Sequence, residues 1–319
     1  MSETDTPEST DYEYDVVIVG GGPAGCSAGV FCAREGLDTA IFDRGNSSLR
    51  RCAHLENYLG FPGGIDIETF YDLAHAHAEA AGCEIVPDMV EVVRQREGGG
   101  FVIETQENRQ VSAGRVVSAA RYDAEYLKPL GEEAMFESYE YDGETHEHFD
   151  RSYPDSDGAT PVEGLYVASP ADEDDQAIMA AGRGARVARR VIADARMDEG
   201  WWEKAAEGVD WMRRESSLDD EWAERETWVE WFDEHHADAP VSPDGERFER
   251  VRETYVDEQL STYLPPEEID SRATDGQEAL AAHVAPEAAV EAIGEERLLD
   301  AIDDVAIGEY AASLGSEAR

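Results

Sequence analysis

Lysine is nearly missing from this chain of 319 residues: only Lys128 and Lys204 occur, and arginine supplies the rest of the 26 cations. Against them stand 73 aspartates and glutamates, giving a formal net charge of -47. Such a field repels phosphate backbones, which excludes nucleic acid as an expected partner. Long apolar runs are missing too. None approaches the ~20 residues that span a bilayer, so no membrane partner is expected. The opening MSETDTPESTDYEYD lacks the basic and apolar regions of a signal peptide. Residues 1–12 are expected to be a disordered acidic tail, and the cytoplasm is the expected compartment. The cysteines, Cys26, Cys32, Cys52 and Cys83, include no C-x-x-C pair, which argues against a dithiol redox motif and a zinc ribbon. His75 and His77 are two apart on one expected helix, so they point different ways. His146/His148 and His235/His236 have no convincing partners, and no metal site is expected.

What the chain does have is concentrated in Asp15–Gly25, DVVIVGGGPAG. Val16, Val17, Ile18 and Val19 make a short continuous apolar strand of the kind buried in a parallel sheet. Gly20, Gly22 and Gly25 follow in G-x-G-x-x-G order. Gly20 suits the tight turn, Gly22 admits a pyrophosphate to its backbone, and Gly25 lets the next helix approach the strand. That helix, over 23–36, turns its N-terminal N–H groups toward the phosphates. A second strand, Thr39–Phe42, ends in Asp43, placed to accept hydrogen bonds from an adenosine ribose. Strand, helix, strand and acid in this order predict a dinucleotide site. The bland alternative is a structural turn in a doubly wound sheet.

Residues 12–120 read as one βαβ-rich unit. An amphipathic helix is predicted near 66–82, with Phe70, Leu73, Ala74 and Ala81 toward the sheet. A three-stranded antiparallel meander follows, turning at Gly98-Gly99-Gly100 and Glu107-Asn108, and then a separate buried strand at 115–119. Residues 121–160 show no strong period. A strand at Gly164–Ala168 leads to the helix QAIMAAGRGARVARRVIADA, whose Ala180, Ala181, Gly182 and Gly184 suit close packing. Beyond residue 197 the chain turns helical, with all six tryptophans between Trp201 and Trp231 and no strand signal there. These tryptophans are expected to form a packed core; a ligand surface is the sharper alternative. Helical faces are predicted for Trp222, Val229 and Phe232, for Phe248, Val251 and Tyr255, and for Leu298, Leu299, Ile302, Val305 and Ala306.

Three segments, DVVIVGGGPAGCSAG with Asp43, LENYLGFPGGIDIETF, and VEGLYVASPADEDDQAIMAAGRGARVA, together resemble the FAD domain of thioredoxin-reductase-like flavoproteins. The resemblance implies an α/β fold: a Rossmann-like FAD-binding domain with a parallel sheet and a three-stranded meander, followed here by a C-terminal helical region. The domain would span 13–196, as halves 13–120 and 160–196 joined by a short linker, with a Trp-rich acidic helical domain over 197–319. Gly20, Gly22, Pro23, Ala24 and Gly25 would surround the FAD pyrophosphate, and Asp43 would hold the adenosine ribose. Asn57 would lie by the isoalloxazine, Val92 would offer a backbone contact to adenine, and Gln176 and Ala177 would face the flavin pyrimidine ring. The spread of acid and the scarcity of lysine also resemble proteins of salt-in halophilic archaea, where the Debye length falls to ~3 Å and self-repulsion is screened.

The sequence departs from the family in several places. A second G-x-G-x-x-G/A for NADPH is absent, and residues 121–160 are too few to hold such a domain. Ser118-Ala119-Ala120-Arg121 stands where the family has Ala-Thr-Gly, and Ala168-Ser169-Pro170 where it has Ala-Gly-Asp. The aspartate for the ribityl-phosphate end is thereby displaced, with Asp172 its nearest substitute. Cys52, beside Arg50 and Arg51, could meet the flavin as a thiolate, and His54 could donate a proton there; a lone thiol and a loop histidine are the plain alternatives. The expected function is an FAD-binding oxidoreductase supplied with electrons by a separate protein donor or a small-molecule substrate, with a homodimer among the expected assemblies. Its rivals are a degenerate flavoprotein fold acting as an interaction module, and an NAD-dependent dehydrogenase.

Overall fold

The computed structural model describes residues 12–121, 124–141, 144–171, 176–208, 212–218 and 222–317. By its contacts the chain divides at Pro265/Pro266 rather than near 197, so the Trp-rich helices belong to the same unit as the sheet.

The first unit is built on a seven-stranded sheet. Strand β1 (Tyr14–Val19), helix α1 (Pro23–Arg34), β2 (Thr39–Phe42), α2 (Ile67–Ala81) and β3 (Glu84–Val86) come first. Next are β4 (Val90–Gln95), β5 (Phe101–Thr105), β6 (Gln110–Ala119), the hairpin β7 (Phe136–Tyr141) and β8 (Glu144–Phe149), and β9 (Leu165–Ser169). Strands β3, β2, β1 and β6 run parallel in that order. The third strand of the meander and the buried strand expected after it are one ten-residue strand, β6. Its first half pairs antiparallel with β5 through Gln110–Ala113, and its second half pairs parallel with β9. One strand therefore joins the meander to the parallel sheet.

Alternation along β1 assigns the two faces, as a period of two requires. Val16 and Ile18 pack with Ala24 and Ala28 of α1 and with Val187, Ala188 and Val191 of α3 (Ala177–Asp198). Val17 and Val19 face the other way, into a core of Phe42, Val93, Phe101, Ile103, Leu127, Met135 and Leu165. Helix α2 is capped at its N-terminus by Asp66, whose side chain accepts from Thr69 N–H at 2.9 Å, and ends on Gly82 in the left-handed region (φ 111°). Phe70 of α2 is buried as expected, whereas Leu73, Ala74 and Ala81 are half-buried.

The hairpin was not expected. Its strands pair from Phe136↔Phe149 to Tyr141↔Glu144, and the Asp142-Gly143 dipeptide that joins them is itself a hairpin signal in sequence. Both turn residues lie outside the described residues. Phe149 is buried beside Met135 and Phe136, so the hairpin is anchored at its base.

Helices α4 (Glu203–Ala206), α5 (Arg225–His235) and α6 (Glu246–Leu260) close a second apolar cluster in the same unit, with a two-residue parallel pair, β10 (Arg214–Glu215) and β11 (Tyr263–Leu264), where no strand was foreseen. Trp201, Trp202, Trp228, Phe232, Phe248, Val251 and Tyr255 fill that cluster, and Trp202 stacks on Phe248 with centroids 5.4 Å apart. Trp202 Nε1 donates to Nδ1 of the buried His236 at 3.1 Å; burial, with His235 and Lys204 nearby, pushes this imidazole down to about 4. The described tryptophans thus act as packing, and His236 as a neutral core acceptor. Tyr12, expected in the tail, has its ring under the Arg96 guanidinium at 5.5 Å; the tail's residues 1–11 lie outside the described residues.

The second unit contains α7 (Pro266–Ala281), α8 (Pro286–Ile293), α9 (Glu295–Ala301) and α10 (Asp304–Glu317). No residue of 266–314 is buried. Leu299, Ile302 and Val305, expected on one apolar helical face, are 51%, 48% and 67% exposed, and the helix is broken between them at Ile302-Asp303.

Candidate functional site

A groove opens where β1, β2 and β6 end and α1 and α3 begin. The turn Gly20-Gly21-Gly22, Asp43, Asn46–Leu49, Cys52, Asp88–Val90, Ala119–Arg121 and the start of α3 at Gln176, Ala177 and Ala180 line it. Residues far apart in sequence meet here because parallel strands end on the same side of the sheet.

Close approach explains the glycines. Gly20 takes φ 115°, and a Cβ on it would lie 2.8 Å from the Ala119 carbonyl oxygen. A Cβ on Gly25 would lie 1.8 Å from the Gly20 carbonyl oxygen, so α1 rests directly on the turn and Gly25 supports the groove from beneath without lining it. Gly184 plays the matching part in α3, where a Cβ would meet the Ala24 carbonyl oxygen at 2.0 Å; Gly182 faces open space. Gly22 is the N-cap of α1 with no side-chain cap, followed by Pro23. The helix therefore presents its first N–H groups to the groove.

Asp43 sits at the end of β2 as expected, and is 9% exposed. Its Oδ1 accepts from Gly45 N–H at 3.0 Å, and its Oδ2 faces Nε2 of His75 at 3.4 Å. The same Nε2 lies 3.1 Å from the Gly21 carbonyl oxygen. Burial alone would raise the Asp43 carboxyl. Hydrogen bonds from His75 and Gly45, with the charges of His75 and Arg50, hold it below the usual carboxylate range. Hydrogen bonding to Asp43, and next to the Cys26 thiol, pushes His75 up to about 10.

Two groups expected from sequence to share a site do meet: Asn57 Nδ2 donates to Gln176 Oε1 at 2.5 Å across 119 residues of chain. Gln176 and Ala177 line the groove, and Asn57 reaches it through that bond. Val92 does not line it. A bulge between Val90 and Val92 shifts the register of β4, and Met89 and Val90 take the lining positions instead. Asp172 lies outside the described residues. Cys52 lines the groove as an exposed thiol, while the His54 ring packs against Gly64 away from it. Ser118, at the altered Ala-Thr-Gly position, is buried and pairs with the Tyr126 hydroxyl at 2.7 Å, so it braces the wall formed by Tyr126.

Sequence reasoning missed several residues. Gly21 is pressed against Asp43, where a Cβ would fall 2.6 Å from the aspartate Cβ; the uninterrupted glycine triplet was the available signal. Ser47 stands over Gly22, and the Arg50 guanidinium covers the Tyr71 ring at 4.8 Å. Two serines followed by two arginines, in a chain so poor in cations, marked this loop. The Tyr71 hydroxyl is buried with no hydrogen-bond partner of normal geometry, beside Gly22. His75 carried no signal, because only the fold brings α2 under the turn. Among the described residues no three histidine, cysteine or acidic side chains are grouped to hold a metal.

With this geometry in view, the comparison with known proteins is specific. Residues 14–130 match the pyridine nucleotide-disulphide oxidoreductase family. The match starts with β1 and ends past β6, so it covers the glycine turn, Asp43 and the meander. The chain is similar to the bifunctional thioredoxin reductase/thioredoxin of Mycobacterium leprae, with 31% identity over 133 residues, 41% of this chain and 29% of that protein. It is similar to the thioredoxin reductase of Listeria monocytogenes, with 32% identity over 127 residues and 38% of each chain. The NADPH-dependent thioredoxin reductase 3 of Arabidopsis thaliana is 30% identical over 128 residues, 38% of this chain and 24% of that one. The chain thus spans between 24% and 38% of the length of these curated relatives. Among solved structures, a thioredoxin reductase from Gloeobacter violaceus aligns with 63% of this chain and 98% of its own at 17% identity and a TM-score of 0.47.

Proposed function

We propose that this chain binds FAD in the groove and is an oxidoreductase of the thioredoxin-reductase-like class. The observation that carries the reading is convergence: the glycine turn, Asp43, and the Asn57–Gln176 pair at the start of α3 surround one groove. The donor set suits the group. Uncapped N–H groups at the start of α1 would take the pyrophosphate, with Arg50 nearby to offset its charge. Asp43 has lone pairs to spare for ribose hydroxyls, and Met89 and Val90 offer an apolar wall to adenine. Gln176 and Ala177, with Asn57 behind them, would face the flavin ring. FAD, when bound, supplies the electron transfer itself, and the protein supplies position and field.

Electrons would come from a separate donor protein or directly from a small substrate. Supporting this, the sequence has no C-x-x-C and no second glycine motif, and between β6 and β9 the described residues hold only short turns and the β7–β8 hairpin. A cytoplasmic, salt-rich setting fits the charge of -47, and no described helix is long and apolar enough to cross a membrane. The test is titration of the purified chain with FAD and NAD in molar salt, followed by flavin fluorescence, and then addition of NADPH. FAD should bind at one equivalent and in preference to NAD, and NADPH alone should leave the flavin oxidised.

A second reading, a flavoprotein fold used as an interaction module, is favoured by the second unit, where Leu280, Val284, Leu299 and Leu314 stay at least 50% exposed. Turnover of bound flavin with any donor and acceptor would decide against it.

A further inference from the structure

We propose that His75 is the positioning residue of the nucleotide groove, clasping the Asp43 carboxylate to the Gly21 carbonyl so that the ends of β1 and β2 are set as one unit before ligand arrives. The inference rests on the FAD reading for its consequence, but the clasp itself stands in the protein alone.

Nε2 of His75 lies 3.1 Å from the Gly21 carbonyl oxygen and 3.4 Å from Asp43 Oδ2. The ring nitrogen meets two groups on different loops, the Gly21 carbonyl at hydrogen-bond geometry and the Asp43 carboxylate as an ion pair, and so ties them to a common point. Gly21 closes the arrangement from the other side, since any Cβ there would fall within 2.8 Å of Asp43 Oδ2. The ring is fixed in turn, with its edge toward Tyr71 at 5.8 Å between centroids. His75 is reached from α2, one turn beyond Tyr71, which places it beneath the glycine turn rather than in the groove. It therefore leaves the outward lone pairs of Asp43 free for a ribose.

The clasp also answers an electrostatic problem. A buried carboxylate beside a pyrophosphate repels it, in a chain already carrying a net charge of -47. An imidazolium against Asp43 cancels that charge while keeping both oxygens as acceptors. The charged and titratable groups facing His75 are Asp43 at the end of β2, Cys26 in α1, Tyr71 in α2 and Arg50 in the loop after β2. Of these, Asp43 makes the hydrogen bond that favours the charged ring most, with Cys26 next. These contacts favour the charged ring well above the usual histidine range. FAD affinity should therefore stay level across about pH 5–8, where an ordinary histidine would lose its charge.

The experiment has two arms. Histidine-labelled ligand-free protein is titrated by NMR, as wild type and Asp43→Asn. His75 should titrate far above the usual histidine range in wild type and drop by more than a unit in Asp43→Asn. A normal titration, unmoved by the substitution, overturns the clasp. In the second arm, FAD affinity is measured for His75→Leu and His75→Gln, with near-ultraviolet circular dichroism verifying the fold. His75→Leu should weaken FAD about tenfold or more, the loss expected for a hydrogen bond to a charged group. His75→Gln, which keeps an N–H, should recover most of that loss. Wild-type affinity in His75→Leu overturns the proposal. Failure of wild type itself to bind FAD would defeat the cofactor reading alone, since the ligand-free titration still decides the clasp.

Discussion

Helix α3 and the helices α7–α10 are both rich in alanine and aliphatic residues, yet only α3 buries what it carries. Val187, Ala188, Val191 and Ile192 of α3 are 0–2% exposed. In the second unit Val290, Ile293, Leu299, Ile302 and Val305 are 40–67% exposed. The difference lies in what each helix is given to lie on. α3 crosses α1 at backbone distance through Gly184 and rests on the sheet through its valines. Within the second unit the chain breaks at Ala285-Pro286, Gly294 and Ile302-Asp303, and no residue of 266–314 is buried. Amphipathic spacing proposes a buried face; a packed second layer is what realises it.

Substitutions can break this contrast. The largest effect is expected at Gly25. Gly25→Ala drives a Cβ into the Gly20 carbonyl and should cost about 3 kcal/mol or more, read by denaturant unfolding in high salt. Gly276→Ala in α7, with nothing within 4 Å of the new methyl, should instead stabilise its helix by about 0.5–1 kcal/mol. Equal losses at both positions would erase the distinction.

Arg196 tests how the sheet layer holds the Trp-rich helices. Its guanidinium covers the Trp201 ring at 4.7 Å and bonds Glu35 of the α1 C-terminus at 2.9 Å and Glu258 of α6 at 2.8 Å. Arg196→Met leaves two carboxylates facing each other and should cost about 3 kcal/mol by unfolding. Glu258→Gln should be close to neutral, because burial already lifts this carboxyl to about 6 despite Arg196. The sign follows from linkage. An acid whose folded value is raised binds more protons folded than unfolded, so its contribution to stability declines as pH rises from the ordinary 4.5 through 6. That decline should be missing from Glu258→Gln.

A smaller pair sharpens the same point. Ile192→Ala, at a side chain 2% exposed, should cost about 2 kcal/mol in unfolding, whereas Leu299→Ala, at one 51% exposed, should cost under about 0.5 kcal/mol.

Much of the groove was legible because local rules write it. The strand Val16–Val19, the glycines, Pro23 and Asp43 each follow from turn and helix-terminus chemistry over a few residues. Gln176 and Asn57 came from resemblance, and the fold brings them together. What was missed depends on distance or register. The clasp of His75 needs α2 to pass beneath a turn 54 residues away. Met89 and Val90 line the groove beside a register shift between Val90 and Val92, and the pairing that sets this register lies on β5, outside the reach of a local pattern. β6 was split in two because its partners change midway, although the strand itself is continuous. Ala193 of α3 shares one apolar cluster with Trp201 and Phe248, a meeting of distant segments that local spacing does not announce.

The central claim is that the turn at Gly20–Gly22, Asp43 and the start of α3 form one FAD site. FAD binding by the intact chain in molar salt, compared with Asp43→Ala, tests it most directly. The account predicts one bound FAD with quenched flavin fluorescence in wild type, and affinity about tenfold weaker or worse in the variant. A folded wild-type protein that leaves flavin fluorescence unchanged at saturating FAD would contradict it.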